Sequence, residues 1–402
     1  MMMSEDSLEV HFLNRLVGHL AKEDQELSFV YDKKYFADED AIAISVSLPL
    51  QEEKFLAKKV EAFFGGFLPE AEIRILLAKK LGISEDNDFS LLNKLGGECA
   101  GAISVGLTKQ KKRRELLSAA KLEDYFNQIP EKALLSFQEN RRLSLAGAQH
   151  KLVVLKEEQQ LYFPAADEYS THILKPAISG YPTSVHNEYF CMKLAASIGL
   201  KVPRLELAYA GDLPYLEVER YDRQDGERLH QEDFTQALGI LARYKYQNEG
   251  GPSYKDCFDL LRAHSSQAGA DALALLELVI FNFLIANNDA HGKNFSLLYR
   301  NKGKLAELAP CYDLLCTSIY PGLSSDMAMR LGKDYKHKKV RPSDWEKFAE
   351  EININKKYLA KKLNELSSKV LVHAEALAVD LDAKYPSGVY AQIISQIKER
   401  AK

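Results

Sequence analysis

Paired cysteines are missing from this sequence. Its five thiols (Cys99, Cys191, Cys257, Cys311 and Cys316) form no CxxC, and an odd, scattered set argues against a disulfide framework. They read as reduced side chains that pack as small hydrophobes, as expected of a cytoplasmic protein. The ten histidines make no HExxH, which speaks against a zinc centre. Long apolar runs are missing too. The strongest, 272–286, is broken by Glu277 and Asn282 and falls short of the ~20 residues that span a bilayer, so no membrane segment is expected. The opening MMMSEDSLEV is acidic and lacks the apolar stretch of a secretory signal. A formal net charge of −4 gives no global attraction to nucleic acid or anionic lipid, although local basic patches stay open.

What is present is an ordinary globular composition, 46% apolar and 27% charged over 402 residues, enough for two or three domains and a sizeable core. EVHFL, LSFVY and AIAISVSLPL read as strands between 9 and 50, the last ending at Pro49. Helices are expected over 52–64 and about 69–82, joined by FFGGFLPEAEIR, whose paired glycines break the pattern. The two phenylalanines there read as core rather than as an exposed patch. The charge run TKQKKRRE (108–115) reads as a solvated linker. Strand-like runs return at 150–155, 160–164, 171–176, 205–210 and 214–221, interrupted by the helical NEYFCMKLAASIGL (187–200). From about 232 helical periodicity dominates, with Trp345 as a packing anchor and VYAQIISQIKERAK as a packed C-terminal helix. The division is a first subdomain (1–107), a linker (108–130), a β-rich lobe (131–222) and a helical lobe (223–402).

The segment FNFLIANNDAHGKNFSLL (281–298) sets a dense polar knot between two apolar runs, which suits side chains that something else needs held still. Asp289 and Asn294 stand as D-x-x-x-x-N, the spacing of a kinase catalytic loop: a carboxylate to take the acceptor's proton and an amide oxygen for Mg²⁺. Alone the pattern is equally a capped polar turn. Nineteen residues after Asn294, LAPCYDLL puts Asp313 where a second magnesium ligand is required. Upstream, Lys175 ends THILK, where a strand lysine would reach the phosphates; an edge lysine is the plain alternative. Glu188, opening the next helix, is placed to hold that lysine. RRLSLAGAQHK (141–151) has neither a Walker motif nor GxGxxG, but its Ala146–Gly147–Ala148 turn offers backbone N–H groups to a phosphate. LEVERYDR ends a strand at Glu219–Arg220–Tyr221, where a hinge would present backbone to adenine.

These stretches, in this order, resemble the HipA family of serine/threonine kinase toxins. SLAGAQHK, THILKP, NEYFCMKLAASIGLKVP, VERYDR, LHQEDFTQALG, NNDAHGKNFSLL and LAPCYDLL carry the likeness, with ISVSLPL, FFGGFLPEAEIR and GGECAGAIS in the first subdomain. The resemblance implies an α+β, bilobal protein-kinase-like fold with a β-rich N-lobe, an extra N-terminal subdomain and a mainly helical C-lobe. It implies ATP and Mg²⁺, with Asp289 as base, Asn294 and Asp313 on the metal, and Lys175 on the phosphates. Ala146, Gly147, Ala148, Gln149, His150, Lys151, Glu219, Arg220, Tyr221, Gln231, His291, Lys293 and Tyr312 would complete the nucleotide site. It further implies inactivation by autophosphorylation at Ser144, an aminoacyl-tRNA synthetase (typically glutamyl) as protein substrate, and a small helix-turn-helix antitoxin, HipB-like, that carries the pair to operator DNA.

Two features depart from the family. His150 stands where glutamate is common, and Glu350 and Glu351 in WEKFAEEI make direct DNA contact from that helix doubtful; KDYKHKKVR (333–341) is the better basic candidate, though it also reads as a solvated loop. A small-molecule phosphotransferase of the aminoglycoside-kinase kind and a non-catalytic nucleotide-binding corepressor remain as alternatives.

Overall fold

A computed structural model describes residues 7–23, 26–106, 113–129, 149–165 and 168–401. The chain separates into two compact units. One comprises Met1–Pro176, Ala208–Arg243 and Leu298–Ala306; the other comprises Ala177–Leu207, Tyr244–Leu297 and Glu307–Lys402.

The first unit begins with an antiparallel sheet ordered Phe55–Leu56, Glu26–Tyr31, Arg15–Glu23, Ser7–Phe12, Ile103–Val105. Alternation along Ser7–Phe12 buries Leu8, Val10 and Phe12 on one face. Against that sheet pack the helices Lys58–Gly65 and Asp88–Leu95. Phe63 and Phe64 are fully buried and touch Phe29 and Phe67 edge-on or tilted, so the FF pair is core. Each such ring contributes about 1.5–3 kcal/mol by leaving water.

The expected strand over 41–50 does not form. Its backbone groups bond to side chains instead of to a ladder: Ile44 N–H donates to the Tyr31 hydroxyl, which donates to Leu48 O, and His230 Nε2 donates to Ile44 O. The helix expected over 52–64 is shortened to Lys58–Gly65 because Phe55–Leu56 pairs as a short strand. The helix expected at 69–82 runs Ala71–Leu81 and stops at Gly82, whose φ of 65° is the left-handed ending glycine allows.

A second sheet is ordered Leu205–Ala210, Leu213–Glu219, His172–Pro176, Leu152–Glu157, Gln160–Phe163, Glu115–Leu117. His172–Pro176 therefore has a neighbour on each side, pairing Lys175 with Leu216 and Leu174 with Leu152. Buried ion pairs tie its far end to the first subdomain. Glu98 meets Arg220 and Arg223, and Asp222 meets the same two arginines and accepts from Gly101 N–H. Burial alone would raise the Asp222 pKa, but the two guanidinium groups outweigh it and hold the carboxyl far below its usual range.

The second unit is built on the 29-residue helix Lys356–Lys384. Ser184–Ser197, Ala268–Leu284, Pro342–Glu351 and Val389–Arg400 pack on it. Trp345 is buried edge-on against Phe283 and Phe348, and Val389, Tyr390, Ile393 and Ile397 form the inner face of the last helix. No described helix is long and apolar enough to cross a membrane.

Candidate active site

The helix Ala268–Leu284 is apolar on nearly every face and buried, as its sequence demands. It ends because Ala286 takes a left-handed φ of 61°, which turns the chain into the polar knot. Most of that knot is scaffolding. Asn287 Nδ2 donates to Asn282 Oδ1 at 2.9 Å, and Asn287 Oδ1 accepts the Asp289 N–H at 3.1 Å. Asn288 N–H donates to Thr317 Oγ1, its Nδ2 to Ser318 Oγ and Ser324 O, and its carbonyl accepts from Ala328 N–H. Two buried asparagines thus satisfy a loop that would otherwise strand polar backbone inside the unit. The sequence reading missed both, although they directly precede the aspartate.

Within this frame the loop folds on itself. His291 N–H and Asn294 Nδ2 both donate to Asp289 O, at 2.8 and 3.0 Å. With its nitrogen so committed, the Asn294 amide has its oxygen as the group left to act as a ligand. The Asp289 carboxylate receives a hydrogen bond from the Tyr246 hydroxyl to Oδ1 at 2.7 Å, a partner no spacing rule had indicated. His291 and Lys293 are buried beside it.

The Asp313 segment is bound to the same loop. Tyr312 Oη donates to Lys293 O at 2.8 Å and lies 2.7 Å from Ser296 Oγ, and Asn287 Nδ2 reaches Asp313 O at 3.4 Å. Asp313 itself holds a φ of 59°. A non-glycine residue kept there costs on the order of 1 kcal/mol and persists where its surroundings impose it, as at functional sites. The structure therefore gathers Asp289, His291, Lys293, Asn294, Tyr312 and Asp313.

The donors suit magnesium. Asp313 offers a carboxylate and Asn294 an amide oxygen, both hard ligands. Among the described residues no group of three His, Cys, Asp or Glu forms a complete cage. Mg²⁺ needs none, because it keeps waters and takes further oxygens from substrate phosphates.

In the first unit, Lys175 is buried in an inner strand, which removes the edge-lysine alternative. Gln149 Nε2 donates to the carbonyl of the adjacent Pro176 at 3.0 Å, tying the end of the 146–151 segment to that strand. Burial lowers the pKa of His150. Ala146, Gly147, Ala148 and Ser144 lie outside the described residues.

At the expected hinge, Arg220 is spent. Its guanidinium serves Glu98, Ser170 and Asp222, its N–H bonds Thr171 O and its carbonyl accepts from Arg223 N–H. Glu219 pairs with His172 in the sheet. Tyr221 donates to Gln231 Oε1 while Gln231 Nε2 faces Asp222 Oδ2, so these two are together. Glu188 does not open its helix; Ser184–Ser197 begins a turn earlier and buries it.

Comparison with known proteins identifies the family and the fold. Residues 8–106 match the HipA N-terminal domain, and residues 143–376 match the HipA-like C-terminal domain. "Putative kinase Y4mE" of Sinorhizobium fredii is 41% identical over 386 residues, spanning 92% of this chain and 91% of its own. "Serine/threonine-protein kinase toxin HipA" of Shewanella oneidensis is 26% identical over 384 residues, spanning 90% and 87%. The Shewanella oneidensis HipA solved with HipB and operator DNA matches with a TM-score of 0.84 at 25% identity, over 98% of this chain and 96% of that one. The fold is the α+β, protein-kinase-like HipA fold, and the chain belongs to the HipA family.

Proposed function

We propose that this protein is a serine/threonine protein kinase of toxin type. It moves the γ-phosphoryl group of ATP to a hydroxyl on a protein, with an aminoacyl-tRNA synthetase as the acceptor. The observation that carries the reading is the hydrogen-bonded unit of Asp289, Asn294 and the Asp313 segment, one carboxylate and two magnesium-type ligands on a single braced loop system.

In this reading the acceptor O–H loses its proton to Asp289 as its oxygen bonds the γ-phosphorus, and the bond from that phosphorus to the β-bridging oxygen breaks to leave ADP. Lys175 offers positive charge to the phosphates, and Asn294 Oδ1 and the Asp313 carboxylate would hold magnesium. The ion neutralises phosphate charge when bound. Gln149, His150 and Lys151 border the phosphates, and Tyr221 with Gln231 borders the base. Arg220 contributes by fixing the hinge through Glu98 and Asp222, its side chain and backbone polar groups being engaged elsewhere.

A HipB-like helix-turn-helix antitoxin is the proposed partner, supported by the relative solved with HipB and operator DNA. The protein acts in the cytoplasm, and phosphorylation at Ser144 switches it off by adding charge that cannot share the phosphate site. The test is Mg–[γ-³²P]ATP added to cell extract with the purified protein, followed by mass spectrometry of the labelled species. Acid-stable phosphoserine or phosphothreonine on a synthetase is expected. Label confined to a small molecule, or ATP binding without transfer, would overturn the reading.

A further inference from the structure

The segment Tyr244–Gly251 is absorbed by none of the family motifs, yet it is bonded directly to the catalytic loop. Tyr246 Oη donates to Asp289 Oδ1 at 2.7 Å, and its ring stands edge-on to His291 with centroids 5.3 Å apart. Lys245 O accepts the Gly292 N–H at 3.3 Å, a backbone bond between the same two segments. The segment is itself braced. Glu249 and Gly251 N–H groups both donate to Tyr246 O, at 3.0 and 2.8 Å, and Gln247 Oε1 accepts the Arg330 N–H at 2.9 Å. Gly251 is required for this closure, since a Cβ there would stand 2.4–2.7 Å from backbone atoms of Tyr244, Lys245 and Tyr246.

We propose that Tyr246 is a positioning residue for the catalytic aspartate. The inference rests on Asp289 being the base, and it adds what keeps that base oriented. The phenol holds one oxygen of the carboxylate that is to accept the acceptor's proton. It also fixes the rotation of the carboxylate, because Oδ1 is held by a group on a separately braced segment. Its hydroxyl bonds the proposed base and not Asn294 or Asp313, the proposed metal ligands, so the effect is expected on turnover rather than on ATP affinity.

The experiment compares wild type, Tyr246→Phe, Gln247→Ala and Asp289→Asn in Mg–ATP-dependent labelling of protein, with kcat and KM for ATP measured for each. Tyr246→Phe keeps the ring and loses the donor. It is expected to lower kcat by roughly ten- to a hundredfold with KM for ATP within about twofold. Gln247→Ala loosens the brace but retains the phenol, so it is expected to keep a kcat closer to wild type than Tyr246→Phe does. Wild-type kcat in Tyr246→Phe, with Asp289→Asn inactive, would overturn this inference alone. Full activity in Asp289→Asn would instead remove the assignment of the base on which it rests.

Discussion

Single side chains carry the chemistry here, and their hydrogen bonds state which atom does what. Asn294 gives its nitrogen to the Asp289 carbonyl, so it braces the loop, and in the proposed reading its oxygen is a metal ligand. Asn294→Leu, which removes both, is expected to cut phosphoryl transfer by at least about a hundredfold. Asn294→Asp keeps an oxygen and is expected to retain more activity at high magnesium; a magnesium titration of transfer rate in both variants checks this. Glu232 supplies a pH-dependent test of the fold. It is buried, accepts from Ser45 Oγ at 2.5 Å, Val46 N–H at 3.1 Å and the Tyr299 hydroxyl, and burial pushes its pKa up to about 7 from an ordinary 4.5. The folded chain therefore holds this proton up to about pH 7, whereas the unfolded chain releases it near 4.5. Between those values the native state binds more protons, so stability falls as pH rises, by about 3 kcal/mol across the window. Glu232→Gln is expected to lose this part of the slope; denaturant melts of both proteins at pH 5 and pH 7.5 measure it, and equal slopes would contradict the account.

Elements were legible where the pattern was long. The runs HILKP and LEVE, the apolar run before NNDAHGKN and the C-terminal VYAQIISQIKERAK were all visible, because buried strands read as apolar runs and a helix packed on one face leaves a period in the sequence. AIAISVSLPL alternates as a strand would and is no strand, since Tyr31, His230 and Glu232 satisfy its backbone from distant positions. No local rule contains partners some 180 residues away. The same limit hid Tyr246, whose role depends on a contact 43 positions along the chain. Gly251 allows a test at this scale. Gly251→Ala would drive a Cβ into the closed turn of 244–251, so it is expected to reduce phosphoryl transfer about as much as Tyr246→Phe does while leaving the melting temperature within a few degrees. A transfer rate equal to wild type would show that the turn tolerates opening.

At the scale of the whole molecule, the chain alternates between its two units, leaving the first at Pro176, returning at Ala208, leaving again after Arg243, returning at Leu298 and leaving finally after Ala306. A linear division at 222 follows composition, whereas these units follow contacts. That is why the helix Ser184–Ser197, sequentially inside the β-rich stretch, is packed with Lys356–Lys384 in the second unit. The order of the motifs was nevertheless readable, because each keeps its local chemistry: a lysine on an inner strand, and two acids and an amide on one braced loop system. The buried pairs of Glu98 with Arg220 and Arg223, and the Gly101 N–H bond to Asp222, were not readable, being matched across more than 120 positions. The most direct test of the central claim is the initial rate of phosphate transfer from Mg–[γ-³²P]ATP to protein by Asp289→Asn relative to wild type, both shown folded by circular dichroism. The account expects a fall of roughly 10²–10⁴-fold, the contribution of a positioned base. A rate within twofold of wild type would contradict it.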